Sequence, residues 1–148
     1  FGDADEPSSP SEEQLKSLGI EVVLWADKYK TEQRVFFDLP WAGVLELCEE
    51  VVKLRGSTQS VIDTVVSVNK LTQRNLNTNL EQWLSQFSQK EARQYLAAAA
   101  VNHKPWFKSI EMSEILSRIV LTHIGAIPTS DLAAKLNRLK SWAHELPL

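Results

Sequence analysis

Three histidines, one cysteine and a pair of adjacent glutamates are the side chains of this 148-residue chain best suited to metal binding, nucleophilic attack or proton transfer. His103, His123 and His144 stand 20 and 21 residues apart. Zinc sites usually draw two ligands from one rigid element, about three to five residues apart, and no pair here has that spacing. His103 belongs to a proline-containing corner and His144 to the final helical segment. His123 is expected in the last turn of a helix, where a cation meets the negative end of the dipole. Cys48 falls on the apolar face of an amphipathic segment, where burial raises a thiol's pKa and lowers its reactivity. No histidine is near it in sequence to act as its base. Glu49 and Glu50 occupy the polar face of that segment, and solvation accounts for them. No glycine-rich loop is present to cradle a phosphate. These residues predict no catalytic centre, no cofactor and no metal. An enzyme would require a histidine to meet Cys48 or an acid in a cleft.

The aromatic and basic residues point to binding instead. Of five tryptophans, Trp25, Trp41 and Trp83 fall on apolar faces and are expected in the core. Trp106 follows Pro105 in "HKPWFK", between Lys104 and Lys108. It can seat a partner side chain or stack a base; alternatively Trp106 and Phe107 plug the core while the lysines stay in water, and this second reading is favoured. In "SDLAAKLNRLKSWAHEL", Leu132, Leu136, Leu139, Ala143 and Leu146 form one narrow packing stripe. Trp142 sits about a quarter-turn away, beside Lys135 and Arg138, in a spacing that suits a cation–π contact with Arg138. This basic and aromatic ridge is of the kind that grips an acidic helix or a single-stranded nucleic acid. The stretch "TSDLAAKLN" resembles the first helix of a helix-turn-helix, with Ala133 and Asn137 four apart. The resemblance ends at Arg138, where the turn needs an apolar residue, and the leucine stripe runs on as in one uninterrupted helix. The expected partner surface therefore combines Lys104, Trp106, Lys108, Lys135, Arg138 and Trp142.

The elements that must position these residues read as helices. Only five glycines occur, fewer than strand-and-turn folds usually use. "SEEQ" from Ser11 is a capping-box pattern. After it Leu15, Leu18, Val22, Trp25, Ala26 and Tyr29 recur every three or four residues, predicting one helix interrupted only by Gly19. "RVFFDLP" is expected to end that element or to form a short connection. Trp41 to Arg55 is the cleanest helix, opened after Pro40 and stopped by Gly56. From Thr58 to Phe87 the β-branched run Val61–Val68 allows a strand. Helical spacing of Val61, Ile62, Val65 and Val66 favours a helix throughout, with polar Asn69, Thr72 and Gln73 on the side to be buried. A break near "NLNTN" is the alternative, and "TNLE" is a second capping pattern. "SQKE" from Ser88 caps an alanine-rich helix to about Val101, Pro105 forbids its continuation, and "SIEMSEILSRIVLTHIG" follows as cap, helix and stop. A fresh cap at Thr129 or Ser130 opens the last helix.

Together these predict an all-α fold: a compact bundle or array of about six or seven helices at residues 11–148, preceded by a flexible acidic linker at 1–10. The chain is long enough for one sizeable core. The formal charge is −3, with eight Lys/Arg against fourteen Asp/Glu up to Gln89 and eight against five thereafter. A single cysteine excludes an intrachain disulfide and fits a reducing, cytoplasmic setting. No run approaches the about 18 apolar residues of a membrane span, and the acidic start is unlike a signal peptide. With Met112 the only methionine, a chain starting at Phe1 is expected to be trimmed, processed or excerpted. The functional expectation is a non-enzymatic helical interaction module or subunit of a larger assembly. The alternative is a nucleic-acid-contacting subunit of a nucleoprotein complex, using the basic C-terminal half. Small all-α subunits of RNA-guided, CRISPR-type effectors share this size and class, an analogy of size and class alone.

Overall fold

The computed structural model describes residues 10–20, 22–72, 79–102 and 104–145. Residues 1–9 of the expected 1–10 linker, Gln73, residues 75–78 of the "NLNTN" stretch, His103 and Leu146 lie outside the described residues. Within them the chain is all-α, and no strand occurs. Eight α-helices follow in order: α1 Glu12–Ser17, α2 Thr31–Asp38, α3 Trp41–Arg55, α4 Thr58–Asn69, α5 Leu80–Leu84, α6 Gln89–Ala100, α7 Ile110–His123 and α8 Asp131–Glu145. Short 3₁₀ turns occupy Ala26–Lys28 and Ile124–Ala126.

Local signals set most boundaries. Ser11 and Gln14 form the capping box of α1, Ser88 and Glu91 that of α6, and the Ser109 hydroxyl accepts from the Met112 amide at α7. Gly56, left-handed at φ 77°, ends α3, a conformation that costs a side-chain-bearing residue and leaves glycine free. Ser130 opens α8, its hydroxyl accepting from the Ala133 amide at 3.1 Å. Helix α8 then runs unbroken through Arg138, as the leucine stripe requires.

Three expectations are corrected. The helix expected from Glu12 to about Tyr29 ends at Ser17. Gly19 takes φ 74°, Leu18 is left 72% exposed, and Val23 and Trp25 are buried on either side of exposed Leu24. That alternation is the period of extended backbone, so a two-residue repeat lies under an apparent helical one. The "RVFFD" connection is the second half of α2, which buries Val35 and Phe36, with Leu39 buried just beyond its end. The helix expected throughout Thr58 to Phe87 divides: α4 ends at Lys70, left-handed at φ 53°, and Asn79 caps a separate α5 by accepting from the Gln82 amide.

The core forms where α6 lies against both α2 and α4, while α3 packs on α4 and α7 and α8 closes on α2. Ala92, Ala97, Ala99 and Ala100 are essentially buried, and their small side chains let the flanking helices approach α6. Two polar residues pin these contacts. Arg93 of α6 donates to the Phe36 and Phe37 carbonyls, at 2.7 and 3.3 Å, satisfying carbonyls that a helix end leaves unpaired. Asn69 of α4 donates to its own Val65 carbonyl at 2.9 Å and to the Tyr95 carbonyl of α6 at 3.0 Å. The polar side chain on the packed face is thus a tie between two helices.

Candidate docking groove

Helices α2, α7 and α8 enclose an apolar groove of about 550 Å³. Trp25 and Val35 form one wall, Leu116 and Val120 of α7 the second, and Leu132 and Leu136 of α8 the third. The walls are held by local chemistry. Trp25 Nε1 donates to Thr31 Oγ1 at 2.9 Å, fixing the indole against the start of α2. The Leu132 amide donates to Asp38 Oδ2 at 2.8 Å, tying the first turn of α8 to the end of α2. The Ser113 hydroxyl donates to the Phe107 carbonyl at 2.9 Å and holds the corner that leads into α7.

The groove does not end at α7. Lys108, Ser113, Ser117 and Leu121 also line a shallower depression that extends over α7 to Ile110 and Arg118. Ile110 is 81% exposed and Leu121 69%. They are eleven residues apart on one helix, a rise of about 16 Å. Both lie off the stripe by which Met112, Leu116, Ile119 and Val120 enter the core. Within the groove one charged residue is buried: Glu32 of α2 is 7% exposed, and among the described residues no hydrogen-bond donor or cation meets its carboxylate. Lys108, exposed, adds a cation to the lining.

Of the six residues expected to form a partner surface, Lys108 is the one that lines this groove. Lys104 lines a separate polar depression with Arg55, Ser57, Ser60 and Thr64, where its carbonyl accepts from Arg55 at 2.6 Å. Lys135, Arg138 and Trp142 share α8; Lys135 is half-buried, Arg138 exposed and Trp142 37% exposed. Trp106 requires correction as a contact residue. It is 1% exposed and packs edge-on against Phe36, with ring centroids 6.0 Å apart. Phe107 is buried beside it. The corner after Pro105 turns its aromatics into the core and leaves Lys104 and Lys108 exposed.

Of the residues suited to chemistry, Cys48 and His123 are built into the fold. Cys48 is buried, and desolvation, helped by the charge of Glu49, pushes its thiol up to about 12. His123 Nε2 lies 3.0 Å from Glu46 Oε2, and Arg118 reaches the other Glu46 oxygen at 3.4 Å. His144 is exposed on α8. Among the described residues no three His, Cys, Asp or Glu side chains gather as metal ligands, and no helix is long and apolar enough to cross a membrane.

The sequence reading missed Glu32, Ile110 and Leu121. The signal for Glu32 is register: in α2 it occupies the place in the 32–35–36–39 stripe where an apolar residue belongs. For Ile110 and Leu121 the signal is the reverse, large apolar residues on the polar side of an otherwise amphipathic helix. No protein-family model, curated protein or solved structure matches this chain.

Proposed function

We propose that this chain is a non-enzymatic helical interaction module, part of a larger assembly, that seats an apolar helical segment of a partner protein between α2, α7 and α8. The observation that carries this reading is the exposure of Ile110 and Leu121 on depressions that run into the apolar groove. Soluble proteins seldom leave large apolar side chains on a contiguous patch unless something covers them, and an amphipathic helix laid into a groove is a recurrent way to cover one. A cytoplasmic location belongs to the same proposal, supported by a lone thiol that suits a reducing compartment.

The test uses leucine-striped amphipathic peptides of about 18 residues, or five turns, with binding followed by the NMR resonance of the Trp25 indole N–H. Wild type is expected to bind at least one of them. Leu121→Asp is expected to weaken that binding at least about tenfold with its melting temperature unchanged. Absence of peptide binding overturns the reading, as does equal binding by Leu121→Asp.

The second reading, a subunit that contacts nucleic acid, is supported by the polar depression at the start of α4. There Arg55 and Lys104 stand among the hydroxyls of Ser57, Ser60, Thr64 and Ser67, a lining suited to phosphate. Asp63 in the same depression weighs against it. Single-stranded RNA or DNA binding that weakens steeply with salt, through counterion release, and falls in Lys104→Ala supports this reading. Salt-independent or absent binding removes it.

A further inference from the structure

We infer that Glu32 makes the groove selective for a partner helix that presents a lysine or arginine, an inference that rests on the docking reading above. As a whole residue Glu32 is 7% exposed, so most of its side chain is shielded from bulk water while it lines the groove. Proteins normally return that cost with internal donors, yet here no donor among the described residues does so. The position in the first turn of α2 favours an acidic residue through the helix dipole, which explains how an acid is tolerated there. It does not explain the burial, since a first-turn acid facing water gains the same benefit. An unpaired acid in the wall of an apolar groove therefore has its hydrogen-bonding capacity directed at an occupant.

The surroundings define the occupant's chemistry. A lysine or arginine carries an aliphatic stem that lies well against apolar surface while its charged end seeks a partner. Here the stem would run past Leu116 and Val120, and the cation would meet Glu32, with the Trp25 ring in the same wall as a second attraction for positive charge. Lys108 in the lining disfavours a second cation and suits an acid further along the partner helix. An uncharged or acidic residue at the same register would bury Glu32 without a partner, or against a like charge.

Three leucine-striped peptides test this. They are identical except for lysine, norleucine or glutamate at one position, which is moved through each register. At the best register wild type is expected to bind the lysine peptide at least about tenfold tighter than the norleucine peptide, about 1.4 kcal/mol, and the glutamate peptide most weakly. In Glu32→Gln the lysine advantage is expected to collapse to within about twofold. Its unchanged affinity for the norleucine peptide would report an intact groove. Equal wild-type affinity for lysine and norleucine peptides overturns the inference and leaves the docking reading standing. Persistence of the lysine advantage in Glu32→Gln overturns it too. Failure of every peptide to bind overturns both.

Discussion

The Leu132 backbone amide at the start of α8 donates a 2.8 Å hydrogen bond to Asp38 Oδ2 at the end of α2, while Oδ1 of the same carboxylate pairs with Arg34. One nearly buried acid thus ends one helix, begins another and neutralises a guanidinium. Asp131 extends the joint, its carboxylate accepting from the Ala26 amide at 3.0 Å. Because Leu132 and Val35 are groove walls, this joint sets the groove's width. Asp38→Ala takes the acceptor from both the Leu132 amide and Arg34, and leaves Arg34, whose side chain is 12% exposed, with the longer 3.9 Å contact to exposed Asp27. A loss of about 2–3 kcal/mol is expected, as for a largely buried charge that loses its nearest counter-ion. Urea unfolding measures it, and the Leu132 amide should lose its protection from hydrogen exchange first.

Gly43 and His123 make a second prediction. A Cβ built on Gly43 would lie 3.0 Å from His123 Cδ2, so α3 and α7 approach as closely as they do because position 43 has no side chain. Helix propensity favours Gly43→Ala by about 1 kcal/mol. Overpacking opposes it by about 1–3 kcal/mol, because the Glu46 contact restrains the ring from moving aside. The substitution is therefore expected to destabilise the protein modestly. In a His123→Ala background the obstacle is gone and the same substitution should stabilise. Thermal melts of the four proteins in this cycle decide it, and additivity across the cycle contradicts the argument.

Cys48 gives a pH dependence. Its thiol has an ordinary value of 9.0 and is held near 12 in the folded chain. The folded state therefore keeps a proton that the unfolded state releases. The associated stability is fully present below about pH 9 and is lost as pH rises from there towards 12, with a slope of up to about 1.4 kcal/mol per pH unit. Cys48→Ala removes this contribution, so its stability should decline less steeply than wild type's over that alkaline window in urea titrations. At neutral pH the thiol should react with a disulfide reagent only at the rate of unfolding.

What the sequence made legible follows from the range of the forces involved. Helix α3 and the capping boxes of α1 and α6 depend on residues a few positions apart, so periodicity and caps reveal them directly. The segment from Gly19 to Trp25 misleads because two and three-to-four residue repeats both fit so short a run. Trp106 sits in an irregular corner, where spacing carries no information about which way an aromatic turns; only its contact with Phe36 decides that. The groove is further out of reach, since α2 meets α7 and α8 across more than seventy residues of intervening chain. Glu32 is visible as an acid in an apolar stripe only after α2 is known to be a helix, and the "RVFFDLP" reading hid that helix.

Two leucines of α7 separate folding from binding. Leu116 is 9% exposed and Leu121 is 69% exposed, on the same helix and bordering the same groove. Leu116→Ala is expected to cost about 2–4 kcal/mol, the loss of a buried aliphatic plus the cavity left behind. Leu121→Ser removes almost no buried surface in the free chain, so stability should change by no more than about 0.5 kcal/mol. If Leu121 serves only the isolated fold, its loss should instead lower the melting temperature in proportion to Leu116. If it serves a partner, the substitution should leave the melt alone, reduce binding of an apolar fluorescent dye, and abolish the extra thermal stability that a bound leucine-striped peptide confers on wild type. The second pattern is the expected one, because a side chain that water already surrounds has little to contribute until something covers it.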